Sequence, residues 1–144
     1  MTGASAWSVA LVGMQGSMVE VEAAISSGLP RTVLVGLPGA ALHEARDRCR
    51  AALCATGLSW PSNVLTINLT PAGLPKAGTH FDLAIAAATL AADKKVPQTL
   101  LGSTVLIGEL GLDGRIRPVR GVLPALLAAR EAGFERAVVP MSQR

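Results

Sequence analysis

Between residues 17 and 69 the hydrophobic period changes twice. Ser17–Ile25 (SMVEVEAAI) puts Val19, Val21, Ala23 and Ile25 on one side and Glu20 and Glu22 on the other, the two-residue period of a half-buried antiparallel strand. Ala40–Thr56 repeats every three to four residues instead. Leu42, Ala45, Cys49, Ala52 and Leu53 make one helical stripe, with Glu44, Asp47, Arg48 and Arg50 off it. Asn63–Leu69 (NVLTINL) returns to alternation. Neither kind of element buries its apolar side alone, so strands and helices must form packed layers.

The remaining elements follow the same logic. Trp7–Gly13 and Arg31–Val35 read as strands, with Gly13–Gly16 as the hairpin joining the first two. Gly57 is placed to cap the first helix. A loop, Thr70–His80, leads into an Ala-rich and largely buried helix, Phe81–Ala92, where Thr79 and Asp82 have capping-box spacing. Thr104–Leu110 and Arg115–Val119 form a hairpin through Asp113-Gly114. A third helix, Val122–Ala132, has Pro124 in its first turn and Gly133 past its end, before a last strand, Arg136–Val139. The order βββαβαββαβ predicts an α+β fold, a mixed β-sheet with helices on one side.

At 144 residues the chain is one domain long, and with half its residues apolar and 16% charged it is not a disordered tail. Its aromatics are Trp7, Trp60, Phe81 and Phe134, so the core is aliphatic, and their scarcity argues against binding of single-stranded nucleic acid by ring stacking. Ten of thirteen basic residues are Arg, against ten acidic residues, a balance of +3 that permits an anionic partner without requiring one. The longest apolar-or-small run, Leu83–Ala92, is ten residues. A membrane helix needs about 20. With no signal-peptide pattern either, a cytoplasmic location and no membrane partner are expected. Cys49 and Cys54 stand about 140° apart around a helix, which disfavours a disulfide.

Few chemical constellations survive inspection. In Lys76-Ala77-Gly78-Thr79 the Lys precedes the Gly, the wrong order for a phosphate-binding P-loop, so a capped helix start is favoured. His43 lacks the second His of a zinc-protease helix, and His80 sits where a helix dipole disfavours its charged form. No Gly-x-Ser-x-Gly elbow and no metal-ligand spacing occur, so no catalytic and no metal residues are assigned. Arg46, Arg48 and Arg50 spread around their helix, whereas Arg115, Arg117 and Arg120 cluster after the Asp-Gly turn. That cluster reads either as a solvated, salt-bridged face or as a phosphate-contacting one.

Three strings say more. Gly108–Val119 (GELGLDGRIRPV), with Gly121, Leu126–Ala129 and Gly133, resembles the proteolytic domain of Lon proteases and the Lon-like domain of RadA recombination ATPases. Leu74–Ala86 (LPKAGTHFDLAIA) is the second, and Ser27–Pro30, Val35–Pro38 and the Arg46-x-Arg48-x-Arg50 helix are the third. In this order they resemble the N-terminal domain of the YifB/ComM family, magnesium-chelatase-like AAA+ ATPases, from about Trp7 to Pro140. The resemblance implies the Lon-type, ribosomal protein S5 domain 2-like fold.

The Lon nucleophile position, two residues after the Gly of its loop, falls on His80, and the dyad Lys position falls on Leu123. An imidazole opposite a leucine cannot reproduce a Ser activated by a neutral Lys. The resemblance therefore implies a non-catalytic accessory domain. Its parent would be a homo-hexameric ring that binds ATP and Mg2+ through an AAA+ module absent from this chain, with no cofactor held here. That parent would act as a DNA branch-migration helicase in natural transformation and recombination. The partners expected are that module, neighbouring subunits and DNA, with Arg46, Arg48, Arg50, Lys76, Arg115, Arg117 and Arg120 as the candidate contacts. Two alternatives stand beside this: an interaction and oligomerisation platform without DNA contact, and a degenerate Lon-type peptidase with Thr79 as its hydroxyl. A role in tetrapyrrole synthesis rests on the family's name only.

Overall fold

A computed structural model describes residues 2–144. Strands β1 (Thr2–Val12) and β2 (Gln15–Ser26) form a long antiparallel hairpin whose two-residue turn is Gly13-Met14. Gly13 supplies the φ of +64° that the first position of such a turn needs. Across the pair Ala6 faces Val21 and Ser8 faces Val19 on one side, while Val9 faces Met18 on the other. With β3 (Arg31–Val35), β4 (Val64–Thr70), β5 (Thr104–Leu106) and β8 (Arg136–Val138) they make a six-stranded sheet, order β3-β4-β2-β1-β5-β8. The β1–β2 and β2–β4 pairs are antiparallel and the rest parallel, so the sheet is mixed. A short hairpin of β6 (Glu109–Leu110) and β7 (Ile116–Arg117) stands apart from it.

Helix α1 (Gly39–Ala55) buries Leu42, Ala45, Cys49, Ala52 and Leu53, the stripe the sequence periodicity picks out. It ends in a Schellman arrangement: Gly57 takes φ +83° and the Leu58 amide donates to the Leu53 carbonyl at 2.9 Å. Helix α2 (Asp82–Ala92) is nearly all buried, and its alanines let it lie close against β1 and β2. Helix α3 (Val122–Glu131) ends at Gly133 in the same way, with the Phe134 amide on the Ala129 carbonyl at 3.0 Å. No helix among the described residues is long and apolar enough to cross a membrane.

The mixed α+β, Lon-type fold stands, but the layering differs from the expectation of helices on one side. Val19, Val21, Leu65 and Ile67 pack with α1 and α2 in the main core. Val9, Val105 and Ile107 pack with Val122, Ala125 and Ala129 of α3 in a second cluster. Neighbouring residues of a strand point to opposite faces, so Val9 and Ala10 belong to different layers and α3 covers the side opposite α1 and α2. A helical stripe shows that one side of α3 is buried and not which sheet face buries it. β1 offers apolar side chains on both.

The expected strand Thr104–Leu110 is also interrupted. After Leu106 the Ile107 amide still donates to Val138 of β8 (3.0 Å), but the Gly108 amide turns to the His80 carbonyl (3.1 Å), which takes the chain out of the sheet into the hairpin.

Candidate functional site

The start of α2 and the far end of the β6–β7 hairpin converge on a cleft of about 460 Å³, lined by Gly78, Thr79 and His80 on one side and Glu109 and Pro118–Arg120 on the other. Thr79 does not cap α2: its hydroxyl donates to Glu109 Oε2 at 2.7 Å, and no side chain caps that helix. The capping-box partner Asp82 is taken elsewhere. Its carboxylate, 1% exposed, accepts Arg48 Nε at 2.6 Å, Arg48 Nη2 at 2.9 Å and the Leu110 amide at 3.1 Å. One buried carboxylate thus ties α1, α2 and β6 together behind the cleft. Burial raises the Asp82 carboxyl pKa, while the Arg48 fork and the Leu110 amide oppose that shift. The hydrogen bond to Asp82 holds the Arg48 guanidinium above its ordinary value. Sequence reasoning missed this pair. The available signal was an Asp opening a helix that is otherwise apolar and largely buried, where an enclosed carboxylate needs a partner.

His80 is 8% exposed and donates from Nε2 to the Val9 carbonyl at 2.6 Å. Burial lowers its pKa, with the Val9 bond opposing, so the neutral tautomer with a bare Nδ1 is held. Leu123, the other position implied by the Lon resemblance, is 68% exposed and lines a different hollow with Met14 and Leu127. The two positions do not share a cavity.

The candidate nucleic-acid contacts separate into groups. Arg48 is bound to Asp82, and Lys76 is buried with its amine donating to the Leu74 carbonyl at 3.0 Å, its pKa lowered by desolvation. Arg46 reaches Asp47 at 3.1 Å and Arg50 lies 5.8 Å from the Trp60 ring centre, so the three arginines of α1 fan out. Arg115 and Arg117 are exposed and flank Asp113, at 3.8 and 3.2 Å, and Arg120 stands exposed at the cleft. The Arg115 amide, then the neighbouring guanidinium groups, hold the Asp113 carboxyl below its ordinary value. Cys49 is buried and Cys54 exposed, both free, and burial pushes the Cys49 thiol well up. His43 is exposed. Among the described residues no three His, Cys, Asp or Glu side chains come together as a metal set.

Residues 21–143 match the family model described as subunit ChlI of Mg-chelatase. The chain belongs to the ChlI family. This ChlI-family chain is 58% identical, over 94% of its length, to an uncharacterized protein of Mycobacterium tuberculosis, covering 27% of that protein. It is 42% identical over 94% of its length to competence protein ComM of Haemophilus influenzae, covering 26% of it. To YifB of Escherichia coli it is 42% identical over 86% of its length, covering 24%. Similarity to Lon protease 2 of Bacillus subtilis is weaker, 25% over 87% of the chain. The chain spans about a quarter of the length of the curated relatives it matches.

Proposed function

We propose that this chain is a non-catalytic accessory domain of a ComM-type AAA+ ATPase, meeting DNA through the hairpin arginines Arg115 and Arg117 and the neighbouring Arg120. The observation that carries the non-catalytic reading is the state of the cleft. The Thr79 hydroxyl donates its hydrogen bond to Glu109, His80 is fixed on the Val9 carbonyl, and Leu123 faces another hollow. No hydroxyl is held against a neutral amine there, as acyl transfer by a Ser–Lys dyad needs. Serine- and threonine-directed acylating probes should leave Thr79 unmodified.

Arg48 and Lys76 hold the fold in this reading, and the exposed hairpin is the DNA-facing part. ATP, Mg2+ and the homo-hexameric ring belong to the parent's motor module in the cytoplasm. The role in transformation and recombination draws on the competence name of its Haemophilus relative. Binding of duplex DNA measured against salt tests it. Each phosphate contact contributes about −0.9 to the log–log slope, so changing Arg115, Arg117 and Arg120 to Gln should flatten it by about that amount per lost contact. No binding by either this chain or its full-length parent removes DNA from the account.

A second reading, a protein-interaction platform, is favoured by Met14, Leu123 and Leu127, 80%, 68% and 45% exposed around one hollow. Concentration-dependent association seen by light scattering, and abolished by Leu123→Glu, would support it.

A further inference from the structure

We propose that the cleft between Gly78–His80 and Pro118–Arg120 binds a small apolar zwitterion, of the class of free aliphatic amino acids and their dipeptides. Its volume of about 460 Å³ lies in the range of small-molecule sites. The side chains of the inner wall offer acceptors. His80 Nε2–H is fixed on Val9, which leaves Nδ1 with a lone pair and no hydrogen-bond partner. His80 itself lines the cleft, beside Gly78 and Thr79. Gly78 leaves room beside the ring: its φ is +99°, and a Cβ there would sit 2.9 Å from Nδ1. Thr79 Oγ1 already donates its one hydrogen to the bond with Glu109 and can only accept another, and the Glu109 carboxylate keeps further lone pairs. An ammonium group, with three N–H donors and a positive charge, satisfies such a wall.

The opposite side supplies the complementary charge. Arg120 lines the cleft, is exposed, and forms no ion pair among the described residues. A cation alone would meet Arg120 and an anion alone would meet Glu109, whereas a zwitterion answers both. Leu11, Pro118 and Val119 provide the apolar surface for an aliphatic side chain.

The test uses this chain labelled with 15N at histidine, the His80 Nδ1 resonance being followed during titration with L-leucine, leucyl-leucine, leucinamide and N-acetyl-leucine. Leucine or leucyl-leucine should shift Nδ1, and the tighter of the two identifies free amino acid or dipeptide. Leucinamide, lacking the carboxylate, and N-acetyl-leucine, lacking the ammonium, should each bind about tenfold more weakly, the cost of one charge-assisted hydrogen bond. Glu109→Gln should weaken leucine by a similar factor. Arg120→Gln should reduce leucine to the level of leucinamide and leave leucinamide unchanged. The His80 Nε2–H resonance, fixed by Val9, reports that each variant is folded. The proposal is overturned if no probe moves Nδ1 at about 10 mM, ten times a weak Kd of 1 mM, or if N-acetyl-leucine or leucinamide binds as tightly as leucine.

Discussion

A carboxylate as enclosed as Asp82 is tolerated only because three hydrogen bonds, two of them from the Arg48 guanidinium, replace its water. The partners differ in exposure: the Arg48 side chain is 20% exposed and that of Asp82 is 1% exposed. Removing the cation therefore strands the charge that water cannot reach. Arg48→Ala should cost about 3 kcal/mol in urea unfolding, and the double change Arg48→Met with Asp82→Leu should cost less than either single change. Additive losses would show that the pair is not coupled. His80 makes a second prediction with a definite sign. Burial lowers its folded pKa below the ordinary value of 6.5, so the unfolded chain takes up a proton first as pH falls. Its contribution is therefore level above about pH 6.5 and declines as pH drops from there toward the folded value. His80→Gln should remove that part of the stability–pH slope, and an unchanged slope assigns it to another group.

At the scale of elements, backbone approach decides where side chains are forbidden. Gly36, just after β3, has φ +102°, and a Cβ there would collide with the Leu69 carbonyl oxygen of β4, a main-chain atom that cannot turn aside. Gly36→Ala should destabilise by about 2 kcal/mol or more in denaturant melts, while Gly39→Ala, in open space at the start of α1, should be close to neutral. Local chemistry of this kind explains what was legible. The buried stripe of α1, the Asp113-Gly114 hairpin and the glycine endings at Gly57 and Gly133 depend on near neighbours, and all can be read from spacing. The missed features depend on distant ones. Asp82 exchanges its cap for Arg48, 34 residues away, and Thr79 turns to Glu109, 30 residues away. Gly108 leaves the sheet because the His80 carbonyl takes its amide. The cleft is legible only as loose residues, since Glu109 and the Thr79 hydroxyl meet through the fold.

The whole molecule is a sheet with unequal cores on its two faces. The larger joins α1 and α2 to the buried sides of β1, β2 and β4, and includes Leu65, Ile67, Leu69, Phe81 and Ile85. The smaller holds α3 against Val9, Val105 and Ile107, with Val122, Ala125 and Ala129 as the buried side chains of that helix. Next to it β8 is an edge strand whose three residues are all exposed. Burial sets the free energy of local opening, so α3 and β8 should open as a unit below the global unfolding energy, while α2 opens only with the whole chain. Native-state hydrogen exchange tests this directly. Amides of Val19–Ala23, Leu65–Leu69 and α2 should share the slowest rates, with α3 and Arg136–Val138 faster and less sensitive to denaturant. Rates in α3 equal to those in α2 would mean that the two faces are one cooperative unit. The cleft lies beside this divide: Leu11 and Val119 pack on the smaller cluster, and His80 is fixed on Val9 within it. Tightening the α3 side should therefore also be felt at His80, as slower exchange of its ring N–H.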